Sequence, residues 1–162
     1  MAGSVAEALR IGNCQQAAFE LCNAFLDSPA RRADRAAMIY TTLQVAMGGA
    51  IGASLRFLAG IGILRLTGPG FHFAVLSVNI VGSFLMGVFV VYAAQRGMTH
   101  LSPFVMTGVL GGFTTFSAFS LEAVTLFERG QMGSAVIYVL ASVGLSILGL
   151  VAGLMIARGA FA

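Results

Sequence analysis

Charge is almost absent beyond the first quarter of this chain: after Arg35 it occurs only at Arg56, Arg65, Arg96, Glu122, Glu128, Arg129 and Arg158. The intervals between are uncharged from Ala36 to Leu55, Leu66 to Gln95, Pro103 to Leu121 and Gln131 to Ala157. Each is long enough for a helix of about 20 residues crossing a bilayer. The pattern predicts four transmembrane helices at about 39–64, 71–94, 102–127 and 132–157, joined by very short loops. Small and polar residues recur along them at helical spacing. Gly48, Gly52, Arg56 and Gly60 share a face of the first; Asn79, Gly82, Ser83, Met86 and Gly87 share one of the second; Tyr138, Ser142, Ser146, Gly149 and Gly153 form a stripe on the fourth. Such stripes let membrane helices approach closely.

The third span is different. It reads GVLGGFTTFSAFSLE from Gly108 to Glu122, and no charge occurs in the 21 residues from Leu101 to Leu121. Gly108, Gly111 and Gly112 each cost a helix roughly 1 kcal/mol against alanine, and Thr114 and Thr115 about half that apiece. The helix is therefore expected to break at membrane depth, where non-helical backbone is tolerated only if protein buries it or if it lines a cavity. An ion or substrate path is the functional expectation. Phe116 and Phe119 follow at a spacing of three, on one face, with Ser117 and Ser120 beside them.

Composition agrees with this reading. The 162 residues are 58% hydrophobic and 9% charged, with a mean hydropathy of +0.93, whereas soluble domains are nearer 25% charged. The chain is an integral all-α membrane protein. Short loops leave no room for a soluble catalytic domain, and four helices enclose little volume, so a transport path calls for an oligomer. Residues 1–37 stand apart as a tail, with 38–162 as the four-helix domain. The tail holds Glu7, Glu20, Asp27 and Asp34 with Arg10, Arg31, Arg32 and Arg35. Within it, Ala18, Leu21, Cys22, Phe25 and Leu26 make an amphipathic stripe that ends at Ser28-Pro29. A frayed or non-native extension, and translation from Met38, are the competing readings. Cys14 and Cys22, eight apart with no nearby histidine, fit neither a zinc site nor a redox motif. His72 and His100 fall in loops and read as solvated.

Several single residues keep two readings open. Arg56 lies near a span end, where it either snorkels to the surface or attracts anions to a vestibule. Asn79 either bonds a neighbouring helix or donates its two amide hydrogens to an anion. Serines on the fourth span ordinarily bond back to their own helix. Glu122 reads as a carboxylate near the surface or as an organiser of water beside a pore. Leaving the tail and Arg56 aside, Arg65 and Arg129 fall on one side of the membrane and Arg96 and Arg158 on the other, so the charge bias that orients a membrane protein is tied. Such a tie suits a chain that inserts both ways and pairs antiparallel.

These residues resemble the CrcB/Fluc fluoride channels over about Ile39 to Ala157. The motifs that carry the resemblance are GGAIGASLRF at Gly48 to Phe57, VNIVGSFLMG at Val78 to Gly87 and, above all, GVLGGFTTFSAFS at Gly108 to Ser120. The resemblance implies an antiparallel dual-topology homodimer in the bacterial inner membrane, with two fluoride pores, passive export of fluoride that protects the cell, and a structural sodium ion at the dimer interface. Carried over residue by residue, it assigns the sodium to the backbone carbonyls of Gly111 and Thr114. It assigns the fluoride pore to Phe116, Phe119, Asn79, Ser117, Tyr138, Ser142 and Arg56. Ala118 stands where the family usually has threonine, which removes one hydroxyl from the polar track. Fluoride is small and strongly hydrated, so a selective path must replace its water with several donors, and Asn, Ser, Thr and Tyr supply them without a trapping charge. Phenylalanine edges carry positive partial charge and can face an anion.

The rival transport class is a small four-span, proton-coupled multidrug or cation exporter of dual topology, which needs a carboxylate within its first span. None occurs from Ile39 to Leu64. An enzyme is disfavoured because the spans carry no Ser/His/Asp set and no cluster with metal-ligand spacing.

Overall fold

The computed structural model describes residues 29–68 and 73–161. The amphipathic stripe of the tail, Cys14, Cys22, His72 and the expected start of the second span at 71 lie outside the described residues. The chain divides into two compact units, residues 1–40 and 41–162. Of the first, the helical stretch from Pro29 to Tyr40 is described.

Helix α1 is Pro29–Thr67 and α2 is Phe73–Gln95. After a short turn of 3₁₀ helix at Thr99–Leu101, the third span is composite. A π-wound stretch, Pro103–Leu110, passes into one α-helical turn, α3 (Gly111–Phe113), and after two residues α4 runs Phe116–Glu128. Helix α5 is Met132–Phe161. Four helical segments, Ala33–Thr67, Phe73–Gln95, Thr99–Glu128 and Met132–Phe161, are long and apolar enough to cross a membrane. The helix containing the first span opens at Pro29, where Pro suits a first helical position, because the Ala- and Arg-rich residues after it are strong helix formers. Apolar character marks the span, not the helix.

Two turns are fixed by glycine. Gly97 and Gly130 have φ of 66° and 74°, the left-handed conformation that ends helices. Met98 N–H donates to Ala93 O at 2.9 Å, Gln131 N–H to Leu126 O at 3.0 Å, and Gly130 N–H to Phe127 O at 2.9 Å. Those bonds satisfy the last carbonyls of α2 and α4 and reverse the chain within a few residues.

Packing follows the small residues. Helices α2 and α5 run parallel, with Ile80 beside Gly149, Phe84 beside Gly153 and the rings of Tyr92 and Phe161 5.4 Å apart. A β-carbon at Gly87 would overlap the Leu150 carbonyl, and one at Gly153 the Phe84 carbonyl. Helix α1 lies parallel to the start of the third span in the same manner: Gly48 faces Phe104 and Gly108, Gly52 faces Val109 and Phe113, and Gly112 faces the backbone of Gly49. Gly60, on the same sequence stripe, has nothing within 4 Å. The buried cluster of Leu76, Phe119, Leu126, Ala135 and Tyr138 joins α2, α4 and α5.

The glycines of the third span behave otherwise than their propensity predicts. Gly108, Gly111 and Gly112 all remain helical, Gly111 with φ −65° and ψ −38°. Gly108 and Gly112 are spent on the close approach to α1, which offsets their intrinsic cost. Extended dihedrals fall instead on Thr114 (φ −79°, ψ 157°) and Thr115 (φ −150°, ψ 121°).

Candidate functional site

The two extended threonines strip backbone groups of their helical partners, and side chains replace them. Thr114 stays tied to the preceding turn, since its N–H and its Oγ1 both donate to Leu110 O at 3.0 Å. Its carbonyl accepts a long bond of 3.4 Å from Arg56 Nη1 on α1. Thr115 N–H donates to Asn79 Oδ1 at 2.8 Å, and Asn79 Nδ2 donates to Thr115 O at 3.1 Å. Thr115 Oγ1 then accepts from Ala118 N–H at 3.3 Å and so caps α4. β-Branching makes Thr115 a poor helix interior residue, but its hydroxyl makes it a preferred N-cap. A threonine directly before an apolar helix signals that role, which helix propensity by itself does not register.

Beside this interruption lies a groove of about 440 Å³ between α2, α4 and α5. Its polar wall is Asn79, Ser83, Thr114, Thr115, Ser142 and Ser146, and its rings are Phe116 and Phe119. The two phenylalanines are unlike in setting: Phe116 is 76% exposed and Phe119 8%. Their centroids are 5.4 Å apart, and Phe119 in turn lies 5.6 Å from the ring of Tyr138. Tyr138 is wholly buried behind Phe119, and its hydroxyl donates to Glu122 Oε2 at 2.6 Å.

Some hydroxyls in this region bond back to their own helix, as Thr114 does to Leu110 O at 3.0 Å and Ser120 to Phe116 O at 2.9 Å. Ser142 does not. It is 4% exposed and lines the groove; the Tyr138 hydroxyl one turn away is the protein group near its Oγ, and the two make no bond of ordinary geometry. A buried hydroxyl so weakly held is costly, which leaves its proton for an acceptor entering the groove.

The structure thus brings Asn79, Phe116, Phe119 and Ser142 of the expected pore residues to one groove, together with Thr114. Tyr138 stands one layer behind it. Arg56 touches the Thr114 carbonyl, and Ser117 is exposed with its Oγ 3.2 Å from Thr115 Oγ1. Gly111 is exposed and lies outside the groove. His100 is exposed in its short turn. Among the described residues, no three His, Cys, Asp or Glu side chains gather as metal ligands.

A family model described as "CrcB-like protein, Camphor Resistance (CrcB)" matches residues 43–154. The chain belongs to the CrcB family. Relatives named "Fluoride-specific ion channel FluC" include that of Ruegeria sp. (strain TM1040), 68% identical over 123 residues, which covers 75% of this chain and 98% of the relative. The protein of that name from Roseobacter denitrificans is 67% identical over 119 residues, 72% of this chain and 94% of its own length. That from Agrobacterium fabrum is 52% identical over 119 residues, 72% and 95% of the two chains. The matched CrcB segment contains the groove, the two extended threonines and every residue expected to line a pore.

Proposed function

We propose that this CrcB-family chain is a fluoride-selective channel that lets fluoride leave the cell passively and so protects it from fluoride toxicity. The observation that carries the reading is the groove, in which uncharged donors face two phenylalanine rings. Fluoride gives up a tightly held water shell only for comparably strong donors, and amide and hydroxyl hydrogens meet that need without the deep trap that a lysine or arginine inside the groove would create. Ring edges supply further positive partial charge. Ser142 offers a hydroxyl that makes no well-formed bond to the protein. The names borne by the relatives point to the same ion.

The working unit in this reading is an antiparallel, dual-topology homodimer in the bacterial inner membrane, its third span broken at membrane depth at Thr114 and Thr115. Support comes from the groove's open side and from the 76% exposure of Phe116, which leave a wall for a second copy or for lipid to complete.

A sodium ion at the interface belongs to this proposal, and the residues fit it. Sodium takes hard, neutral oxygen ligands, which backbone carbonyls are. Since the Thr115 N–H goes to Asn79, the Gly111 carbonyl loses its i+4 donor. Thr114 O carries one long bond from Arg56 and keeps a second lone pair. Carbonyls of Gly111 and Thr114 from two copies would hold the ion, which supplies positive potential between the two pores without obstructing either.

The deciding experiment is efflux from liposomes that hold the purified protein, followed with fluoride and chloride electrodes. Fluoride should leave far faster than chloride, and equal rates would overturn the assignment.

A further inference from the structure

Backbone freed from a helix inside an apolar span has to find partners within the protein. At Thr115 both groups find them on one side chain, through the bonds of 2.8 Å and 3.1 Å to the two ends of the Asn79 amide. Asn79 thereby acts as a peptide unit displaced onto α2, offering one acceptor and one donor in the order that an extended residue presents their complements. The same pairing has a second effect four residues upstream. In an unbroken helix the Thr115 N–H would close onto the Gly111 carbonyl, and with that N–H held by Asn79 the carbonyl has left the ladder. Thr114 cannot do this, because its N–H and hydroxyl both point back to Leu110.

We propose that Asn79 is a positioning residue for the cation site: by holding Thr115 extended it keeps the Gly111 carbonyl available, so that α2 sets the sodium affinity of the third span. The inference rests on the sodium reading above and gives Asn79 a task besides lining the groove. The two tasks are compatible in one side chain. Only one Nδ2 hydrogen is used on Thr115, and the amide's second hydrogen remains for an anion. The design requires an amide. Aspartate keeps the acceptor for Thr115 N–H but sets a carboxylate against the Thr115 carbonyl, and leucine, close in size, keeps neither bond.

Two measurements on the full-length protein test this. The first is hydrogen exchange of the Thr115 amide by NMR. Asn79→Leu should speed it about tenfold, the equilibrium effect of losing one net hydrogen bond, whereas Asn79→Asp, which retains the acceptor, should stay close to the parent. The second is the sodium-dependent rise in unfolding temperature, with protein purified and measured in sodium or in N-methylglucamine. The sodium concentration giving a set rise should be about tenfold higher for Asn79→Leu. Should that variant fail to assemble, Asn79→Ser, whose single oxygen cannot reach both groups, carries the same two expectations. Unchanged Thr115 exchange overturns the positioning role. Faster exchange with an unchanged sodium requirement overturns its link to the cation. A parent whose unfolding temperature ignores sodium overturns the sodium reading itself, and the exchange result then still decides whether Asn79 holds Thr115.

Discussion

Phe116 and Phe119 share a motif, a face and a groove, yet their surroundings predict different responses. Phe119 is packed between Phe116 and Tyr138 and is 8% exposed. Its loss should resemble other large core truncations, at about 3 to 5 kcal/mol for Phe→Ala. Phe116 has little to lose in the single chain. Phe116→Ile, which keeps most of the volume and removes the ring edge, should therefore leave the unfolding temperature within a few degrees of the parent while fluoride flux falls at least about tenfold, the worth of roughly 1.4 kcal/mol of aromatic contact. Parent-like flux from a folded Phe116→Ile protein would reduce the ring to packing. Ser142 separates stability from transport as well. Since its Oγ makes no well-formed bond to the protein, little stability is lost with it, and Ser142→Ala should unfold at about the parent temperature and yet conduct fluoride more slowly. A variant that is destabilised, or that conducts as before, would show that the hydroxyl has another use. The family resemblance named Asn79, Phe116, Phe119 and Ser142 together, where spacing alone paired only the two phenylalanines, and all four do line one groove. What spacing could not show was that Asn79 spends both ends of its amide on Thr115. Such a bond depends on the backbone of a different span leaving the helix.

At the level of elements, the number of helices followed from the uncharged intervals, because a bilayer's thickness imposes a length on each. The ends were less legible. Charged and alanine-rich residues prolong the first helix to Pro29 without interrupting its hydrogen bonds. Within the third span the glycines looked like the fault line, and they are instead contact points against α1. Propensity measures the cost of a glycine in isolation and omits the packing that its missing side chain permits. Gly52 and Gly62 make the contrast testable. A β-carbon at Gly52 would overlap the Val109 carbonyl, whereas one at Gly62 meets nothing within 4 Å. Gly52→Ala should lower stability by about 1 to 3 kcal/mol through overpacking. Gly62→Ala should leave it unchanged or raise it by up to about 1 kcal/mol from helix propensity. Thermal unfolding in detergent reads both, and equal responses would remove the case for close approach of α1 to the third span.

For the whole molecule, the balance of arginines decides which way the chain enters the membrane. The short loops tie at two against two, but Arg31, Arg32 and Arg35 precede the first span on the side of Arg96 and Arg158. Arginines this close to a span count toward cytoplasmic retention. A chain starting at Met38 should therefore place a C-terminal reporter on both faces of the membrane, and the full chain should shift it toward the cytoplasm. Reporter labelling of intact and permeabilised cells measures the split. One-sided labelling from Met38 onward would reject dual insertion, and identical splits for the two chains would show that the three tail arginines carry no topological weight.

The tight reversal at Gly130 bears on when that decision is made. Three residues, Arg129 to Gln131, separate α4 from α5, with Gly130 and Gln131 bonded back into the end of α4. A connection so short leaves no slack for one helix to settle in the bilayer while its neighbour waits outside. The two must leave the translocon as a folded hairpin, and the hairpin cannot later somersault without dragging two apolar helices and their polar turn through hydrocarbon. Orientation is in that case a birth property of each molecule, and any antiparallel pair arises by sorting among finished chains rather than by turning one over.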